Sequence, residues 1–256
     1  MKISFFNTSG YQIIDDFLTL AECEGLLGLV SNYREKVELP EIYRPMKTRS
    51  LRYYVINGEQ IKNNLSEIWI IYQGAVNELV NKLTGEQYVP LDNFQAGVNV
   101  NIMPPGRSEY RWHYDRTRIT AILYLNAVEG GETELYPNYR ILLKNGNQAQ
   151  IQRLLDSFLQ IRLVRNAFRK KTLIAPRPGR LLIIRGNTCW HSVRSVEGSK
   201  ERINIILAYD IPGAQFPMEK DLDSYLYTQE KAISSDPNYL QATWGAAEDF
   251  VLEIVI

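Results

Sequence analysis

From about residue 91 to residue 211 the chain repeats one local pattern, a short β-branched or aromatic segment followed by a turn. FQAGVNVNIM reads as a strand and Pro104-Pro105-Gly106 as a turn. YRWHYD and RITAILYLN follow as strands, Gly130-Gly131 turns into ETELYP, and RLLIIRG and RINIILAYD close the series. Strands at such short spacing point to a sandwich or barrel rather than a parallel doubly wound sheet.

Around this β region the pattern is helical. TLAECEGLLGLVSNYREK has apolar residues at helical spacing, and Thr19 with Glu22 fits a capping box. NNLSEIWIIYQGAVNELVNKLTG reads as a second helix stopped by Gly85. The strands are interrupted by NQAQIQRLLDSFLQIRLVRNAFRKK, which is amphipathic and basic toward its end. It is expected to lie across the barrel or to serve a subunit contact, which would make a homodimer. The expected class is therefore α+β with a mainly β core. Helical support occupies about 1–90, the β core about 91–211 with its insertion at about 146–171, and an arm 212–256. With no repeat and no low-complexity linker, residues 1–256 read as one domain.

Composition narrows the function. Lys+Arg and Asp+Glu are both 29, for a formal net charge of +0, so the basic footprint of a nucleic-acid binder is missing. Cys23 and Cys189 are too few for a disulfide framework or a multi-cysteine zinc site, and reduced thiols are expected. MKISFFNTSGYQ lacks the apolar core of a secretory signal, and no apolar run is long enough to span a bilayer. The expectation is a cytoplasmic protein with no nucleic-acid and no membrane partner.

The chain has only two histidines, His113 and His191. In Trp112-His113-Tyr114-Asp115, positions two apart on a strand share a face, so His113 and Asp115 can present a nitrogen and an oxygen to one ion. His191 follows the apolar strand RLLIIRG, and a barrel can bring it beside the first pair. Two imidazoles and one carboxylate with open positions suit a ferrous ion, whereas a closed zinc site needs a fourth protein ligand. Arg202 begins the strand RINIILAYD, with Asn204 and Ile206 on its face. An arginine aimed into a barrel needs an anion, and a dicarboxylate fits a guanidinium.

At this point the chain resembles the prolyl-4-hydroxylase-like branch of the 2-oxoglutarate/iron(II) dioxygenases, whose core is a double-stranded β-helix, a jelly-roll or cupin-like barrel. The resemblance rests on Tyr11-Gln12-Ile13-Ile14-Asp15-Asp16-Phe17-Leu18, His113-x-Asp115, Tyr124-Leu125-Asn126 and Gly130-Gly131-Glu132-Thr133. It continues in Pro178-Gly179-Arg180-Leu181-Leu182-Ile183-Ile184, His191-Ser192-Val193 and Arg202, in that order. It implies Fe(II) on His113, Asp115 and His191, with 2-oxoglutarate and O2 as cosubstrates and ascorbate as a reductant. Arg202 would bind the distal carboxylate of 2-oxoglutarate. Tyr124, on one inner face with Thr120 and Ile122, would be a second donor, and Asn204 a further contact. Many relatives carry a tyrosine on the strand before the metal pair, where this chain has the Met103-Pro104-Pro105 run, so one usual cosubstrate contact is not expected here.

The resemblance also implies oxidation of an unactivated C–H bond with release of succinate and CO2. Related halogenases lack the carboxylate at the place of Asp115, so its presence argues for hydroxylation. The expected substrate is a small molecule, an amino acid or a metabolite derived from one. Arg111, two residues before His113, is the first candidate to hold it, with Tyr110 and Asn101 next. Arg116, Arg118 and the stretch from Arg44 to Tyr54 add basic and aromatic character. Two other readings stay open here: a peptidyl or carrier-tethered substrate, and a non-catalytic metal-binding β-barrel.

Overall fold

The computed structural model describes residues 5–45, 50–106, 109–143, 149–161, 163–165 and 170–214. Two antiparallel sheets form the core. The major sheet runs β1 (Tyr11–Ile14), β11 (Leu181–Ile184), β7 (Ile119–Tyr124), β14 (Arg202–Asp210), β5 (Val98–Met103), β3 (Ser50–Ile56), β2 (Ile42–Pro45), and β4 (Val89–Pro90) pairs with the end of β14. The minor sheet runs β10 (Thr172–Ile174), β9 (Thr133–Tyr136), β12 (Trp190–Val193), β6 (Tyr110–His113). A two-stranded ribbon, β8 (Glu129–Gly130) with β13 (Val196–Glu197), stands apart. This is the expected double-stranded β-helix core with helices around it.

Period-two alternation decides what each sheet face touches. Val98, Val100, Ile102, Ala121, Leu123, Ile205 and Leu207 face one way and pack on helices. Those helices are α2 (Leu20–Lys36), α3 (Gly58–Asn64), α4 (Ser66–Gln73) and α5 (Ala75–Thr84), with α1 (Phe5–Ser9) beside them. Ile122, Tyr124, Leu182 and Ile184 face the other way and meet Leu135 and Ile174 of the minor sheet. The outer face of the minor sheet carries Trp112, Tyr136 and Trp190 under Leu155 and Leu159 of α7 (Ala149–Gln160). The layers are helices, major sheet, minor sheet and α7. The insertion thus lies across the barrel, docked also by the Arg140–Asp156 ion pair at 2.6 Å.

α2 starts as its sequence predicts. The Glu22 N–H donates to Thr19 Oγ1 at 3.2 Å, and the Thr19 N–H donates to Glu22 Oε2 at 2.7 Å. Two expectations need correction. The single helix read over 63–85 is three pieces, because the backbone leaves helical geometry at Leu65 (φ −129°, ψ 62°) and Gly74 (φ −107°, ψ −99°). The strand read over FQAGVNVNIM begins at Val98, and Phe94–Gly97 forms the short helix α6. Phe94 is held edge-on against Trp69, with centroids 5.0 Å apart, and below Lys62, which turns that segment into the helical layer. Of the expected arm, residues 215–256 lie outside the described residues, as do 46–49, 144–148, 162 and 166–169 of the basic stretch and the insertion. No helix among the described residues is long and apolar enough to cross a membrane.

Candidate metal and cosubstrate site

The register of β6 and β12 pairs His113 directly with His191, and the two rings stand 4.2 Å apart between centroids. Asp115 lies just beyond β6. Its Oδ1 sits 3.3 Å from His113 Nε2 and 3.5 Å from His191 Nε2. One ligand atom from each of the three falls within 4.8 Å of the others, and among the described residues no other group of acids, histidines and cysteines converges so.

The carboxylate is held from behind. Thr120 donates its hydroxyl to Asp115 Oδ2 at 2.6 Å, and the Asp115 N–H donates to the Gly186 carbonyl at 3.0 Å. Gly186 leaves no room for a side chain, since an added Cβ would lie 2.7 Å from Thr120 Oγ1 and 2.8 Å from Asp115 Oδ2. Oδ2 is thereby engaged, and Oδ1 is left to face the imidazoles. His191 Nδ1 lies 2.9 Å from the Cys189 carbonyl; donating there leaves Nε2 with its lone pair.

The electrostatics fit a cation. Burial pushes the Asp115 carboxyl up, but the charge of His191 and hydrogen bonds from both imidazoles outweigh it and hold the group well below the usual carboxylate range. Burial pulls the His191 imidazolium down, but Asp115 outweighs it and lifts the group well above the ordinary value. Asp115 and His191 each favour the other's charged form, so the carboxylate calls for positive charge beside it, which a divalent ion would supply in place of a proton.

The second half of the site is Arg202. It is 2% exposed, and burial lowers its pKa from the ordinary arginine value. The guanidinium donates to the Gly131 carbonyl at 2.9 Å, to Thr133 Oγ1 at 3.2 Å and to Asn204 Oδ1, and it lies 5.2 Å above the Tyr124 ring. Met103 Sδ completes the contacts at 3.8 Å. All these partners are neutral. Neighbouring Glu201 is taken by Arg34, at 2.6 and 3.1 Å. Among the described residues no carboxylate pairs with Arg202, so a buried cation awaits an anion, as a diacid cosubstrate requires. Tyr124 adds its hydroxyl, 2.6 Å from Thr133 Oγ1, and burial holds that phenol above its usual pKa, hence as a neutral donor.

Asn204 therefore stands beside the guanidinium as its acceptor. Asn101 and Asn99 lie on the same inner face of the major sheet, at 5% and 4% exposure, with Asn101 opposite Asn204 and Asn99 opposite Ile206. Tyr110 is 5.0 Å from the His113 ring and 5.9 Å from Tyr53 between centroids. The Arg111 side chain lies outside the described residues. Arg118 is committed to Asp210 at 3.0 Å and Arg52 to Glu41 at 2.6 Å. Sequence reasoning missed Gly186 and gave Thr120, Gly131 and Thr133 no part in holding Asp115 or Arg202. The Gly130-Gly131 pair was the available signal, since Gly131 has φ +64° and a Cβ there would lie 2.9 Å from Arg202 Cδ. A groove of about 850 Å³, lined by Trp112, Glu134, Tyr136, Arg165 and Ser192, opens on the outer face of the minor sheet. Ser192 points away from its neighbour His191, so that groove is not the chamber of the three side chains.

Comparison with known proteins agrees with this geometry. Residues 98–209 match the family model described as the 2OG-Fe(II) oxygenase superfamily. No curated protein matches the chain in sequence. Among solved structures, the chain is similar to the non-haem alpha-ketoglutarate-dependent carbocyclase SnoK from nogalamycin biosynthesis, at 13% identity and TM-score 0.62, over 82% of this chain and 85% of that one. A Pseudomonas putida prolyl-4-hydroxylase aligns at 17% identity and TM-score 0.51, over 81% and 96%. HygX from Streptomyces hygroscopicus, with nickel, 2-oxoglutarate and hygromycin B bound, aligns at 11% identity and TM-score 0.56, over 81% and 85%.

Proposed function

We propose that the chain, which matches the 2OG-Fe(II) oxygenase superfamily over residues 98–209, is a 2-oxoglutarate-dependent non-haem iron oxygenase that hydroxylates an unactivated C–H bond of a polar small molecule, an amino acid or a metabolite derived from one. Succinate and CO2 would be the coproducts. The observation that carries the substrate class is the pair of buried amides, Asn99 and Asn101, on the inner face of β5. Neither amide is hydrogen-bonded within the chain among the described residues, so both are available to a ligand with donors and acceptors of its own. The small-molecule setting of two structural relatives, one from nogalamycin biosynthesis and one with hygromycin B bound, supports the same reading.

Bound iron with 2-oxoglutarate supplies the oxidising chemistry. The chain's own part is placement. His113, Asp115 and His191 would take one side of the ion and leave the other to the cosubstrate and dioxygen. Thr120 and Gly186 keep Asp115 turned so that one oxygen points inward. Arg202 and Tyr124 would take the distal carboxylate of 2-oxoglutarate, and Asn204 and Thr133 hold the guanidinium in place. Ile122, Leu135, Ile174, Leu182 and Ile184 back this end of the chamber and exclude water. Asn99, Asn101, Tyr110 and Arg111 would orient the substrate. The carboxylate of Asp115 keeps its place from halide, which favours hydroxylation.

The test is succinate formation by the purified chain with Fe(II), ascorbate, O2 and 2-oxoglutarate, screened over free amino acids and short peptides. Stimulation by a free amino acid or close derivative, with a hydroxylated product by mass spectrometry, is the expected result. Stimulation by peptides alone would move the substrate to a peptidyl residue. No succinate under any condition, with metal tightly bound, would make the chain a binding protein.

A further inference from the structure

A row of aromatic rings stands directly behind the proposed metal ligands. Trp112 and Tyr114 flank His113 in the chain and Trp190 precedes His191, so alternation sets these three rings on the outer face of the minor sheet while the imidazoles point inward. The Tyr114 and Trp190 rings are 4.6 Å apart between centroids. Trp190 and Trp112 are stacked at 6.2 Å with their planes 17° apart, and Trp112 meets Tyr136 at 5.4 Å. The row therefore runs from buried Trp190 to Trp112 and Tyr136, which line the groove of about 850 Å³ on the outside. Packing alone does not account for the indole at its inner end. Trp190 Nε1 is buried with no hydrogen-bond partner among the described residues. A stranded donor destabilises the fold, and a phenylalanine would fill the same place without one.

We propose that Trp190 and Trp112 form an electron relay, which carries oxidising equivalents from the metal site to the groove when no substrate C–H bond is there to consume them. The inference rests on the oxygenase reading above. An indole can give up an electron and keep its proton, whereas a phenol sheds its proton as it is oxidised. Trp190 Nε1–H has no acceptor for a proton, so an oxidised Trp190 ring stays a mobile charge that Trp112 refills with one electron. Tyr114 Oη lacks an acceptor as well, so its phenol takes no part. At Trp112 the guanidinium of Arg165, 5.3 Å from the ring centroid, disfavours a second positive charge, and the oxidised indole releases its proton to solvent in the groove. A small enediol reductant such as ascorbate reaches the ring there and returns an electron and a proton. Two such passages balance one turnover without substrate: 2-oxoglutarate, O2 and ascorbate become succinate, CO2, water and dehydroascorbate. The O–O bond breaks and one oxygen enters succinate. The other leaves as water, with the two electrons and two protons that ascorbate gives up.

The test is peptide mapping by mass spectrometry of the full chain with Fe(II), 2-oxoglutarate and isotopically labelled O2, without substrate, in the presence and absence of ascorbate. Without ascorbate the wild type should carry label on Trp112 and Tyr136 at the groove, and ascorbate should prevent it. In Trp190→Phe the label should move to Tyr110 and Met103 beside the metal and cosubstrate groups, and ascorbate should lose its protective effect, with circular dichroism and Mn(II) affinity unchanged. In Trp112→Phe, altered at the groove end, the label should stop at Trp190. Tyr114→Phe should behave as the wild type. A second arm replaces 2-oxoglutarate and O2 with labelled hydrogen peroxide, which generates an oxidant at the bound iron without cosubstrate. The same pattern with peroxide, but no succinate from 2-oxoglutarate, would keep the relay and discard the cosubstrate. A wild type labelled only in the chamber in both arms overturns the relay, and so does ascorbate protection of Trp190→Phe equal to that of the wild type.

Discussion

At Gly186 there is room for a hydrogen and nothing larger, because Asp115 and Thr120 crowd the position from both sides. Gly186→Ala should push the carboxylate out of line and lower Mn(II) affinity about ten- to a hundredfold, the usual effect of disturbing groups behind a metal ligand. Calorimetric titration measures this, and unchanged affinity would mean that the seat is slack. Thr120→Val removes the only hydroxyl hydrogen-bonded to Asp115 Oδ2 among the described residues and should lower affinity in the same way, with Thr120→Ser restoring it. For Arg202→Met the expectation is a rise in KM for 2-oxoglutarate of about a hundredfold, within the ~2–5 kcal/mol typical of breaking a buried charge pair. Without cosubstrate the same variant should be at least as stable as the wild type by thermal denaturation, because it discards a buried cation that lacks an acid partner. His113, Asp115, His191 and Arg202 were legible in the sequence because two histidines and one strand-end arginine stand out against apolar strands. Thr120, Gly186 and Thr133 were not. Each acts across strands, and only the register sets it against its partner.

Among the elements, β1 is tied to the core from its end. Asp15 accepts from Arg180 Nε at 2.6 Å, beside the antiparallel pairing of β1 with β11. The hydrogen bond from Arg180 holds the Asp15 carboxyl below its ordinary value, so its stabilising contribution is present above that value, about 3.9, and is lost as the pH falls through the lowered one. Thermal unfolding curves of the wild type and Asp15→Asn should therefore differ near neutral pH and converge in acid. The start of α2 was legible because a capping box is a local code, complete within four residues. The breaks at Leu65 and Gly74 were not, since apolar periodicity runs through both, and neither was α6, which folds where it does because Trp69 and Lys62 hold Phe94.

For the whole molecule, the layer order assigns separate tasks. Helices cover one face of the major sheet, the reaction chamber lies between the sheets, and α7 closes the minor sheet from outside. The alternation that made the β region readable predicted layers of this kind, but not which helix covers which face. Anything that binds the folded state alone stabilises it by mass action. Mn(II) should thus raise the unfolding midpoint, and Mn(II) with 2-oxoglutarate should raise it further, while 2-oxoglutarate alone should do little for Asp115→Ala. Equal shifts in Asp115→Ala and the wild type would separate diacid binding from the metal.

A guanidinium buried among neutral groups does not distinguish the diacid that arrives from the shorter one that leaves. On the proposed function, succinate would keep the carboxylate that Arg202 would hold, so each turnover would end with the spent coproduct still gripped at the floor of the chamber. The pace of the cycle would then follow the balance of the two acids around the protein, slowing when succinate accumulates and recovering when 2-oxoglutarate is plentiful.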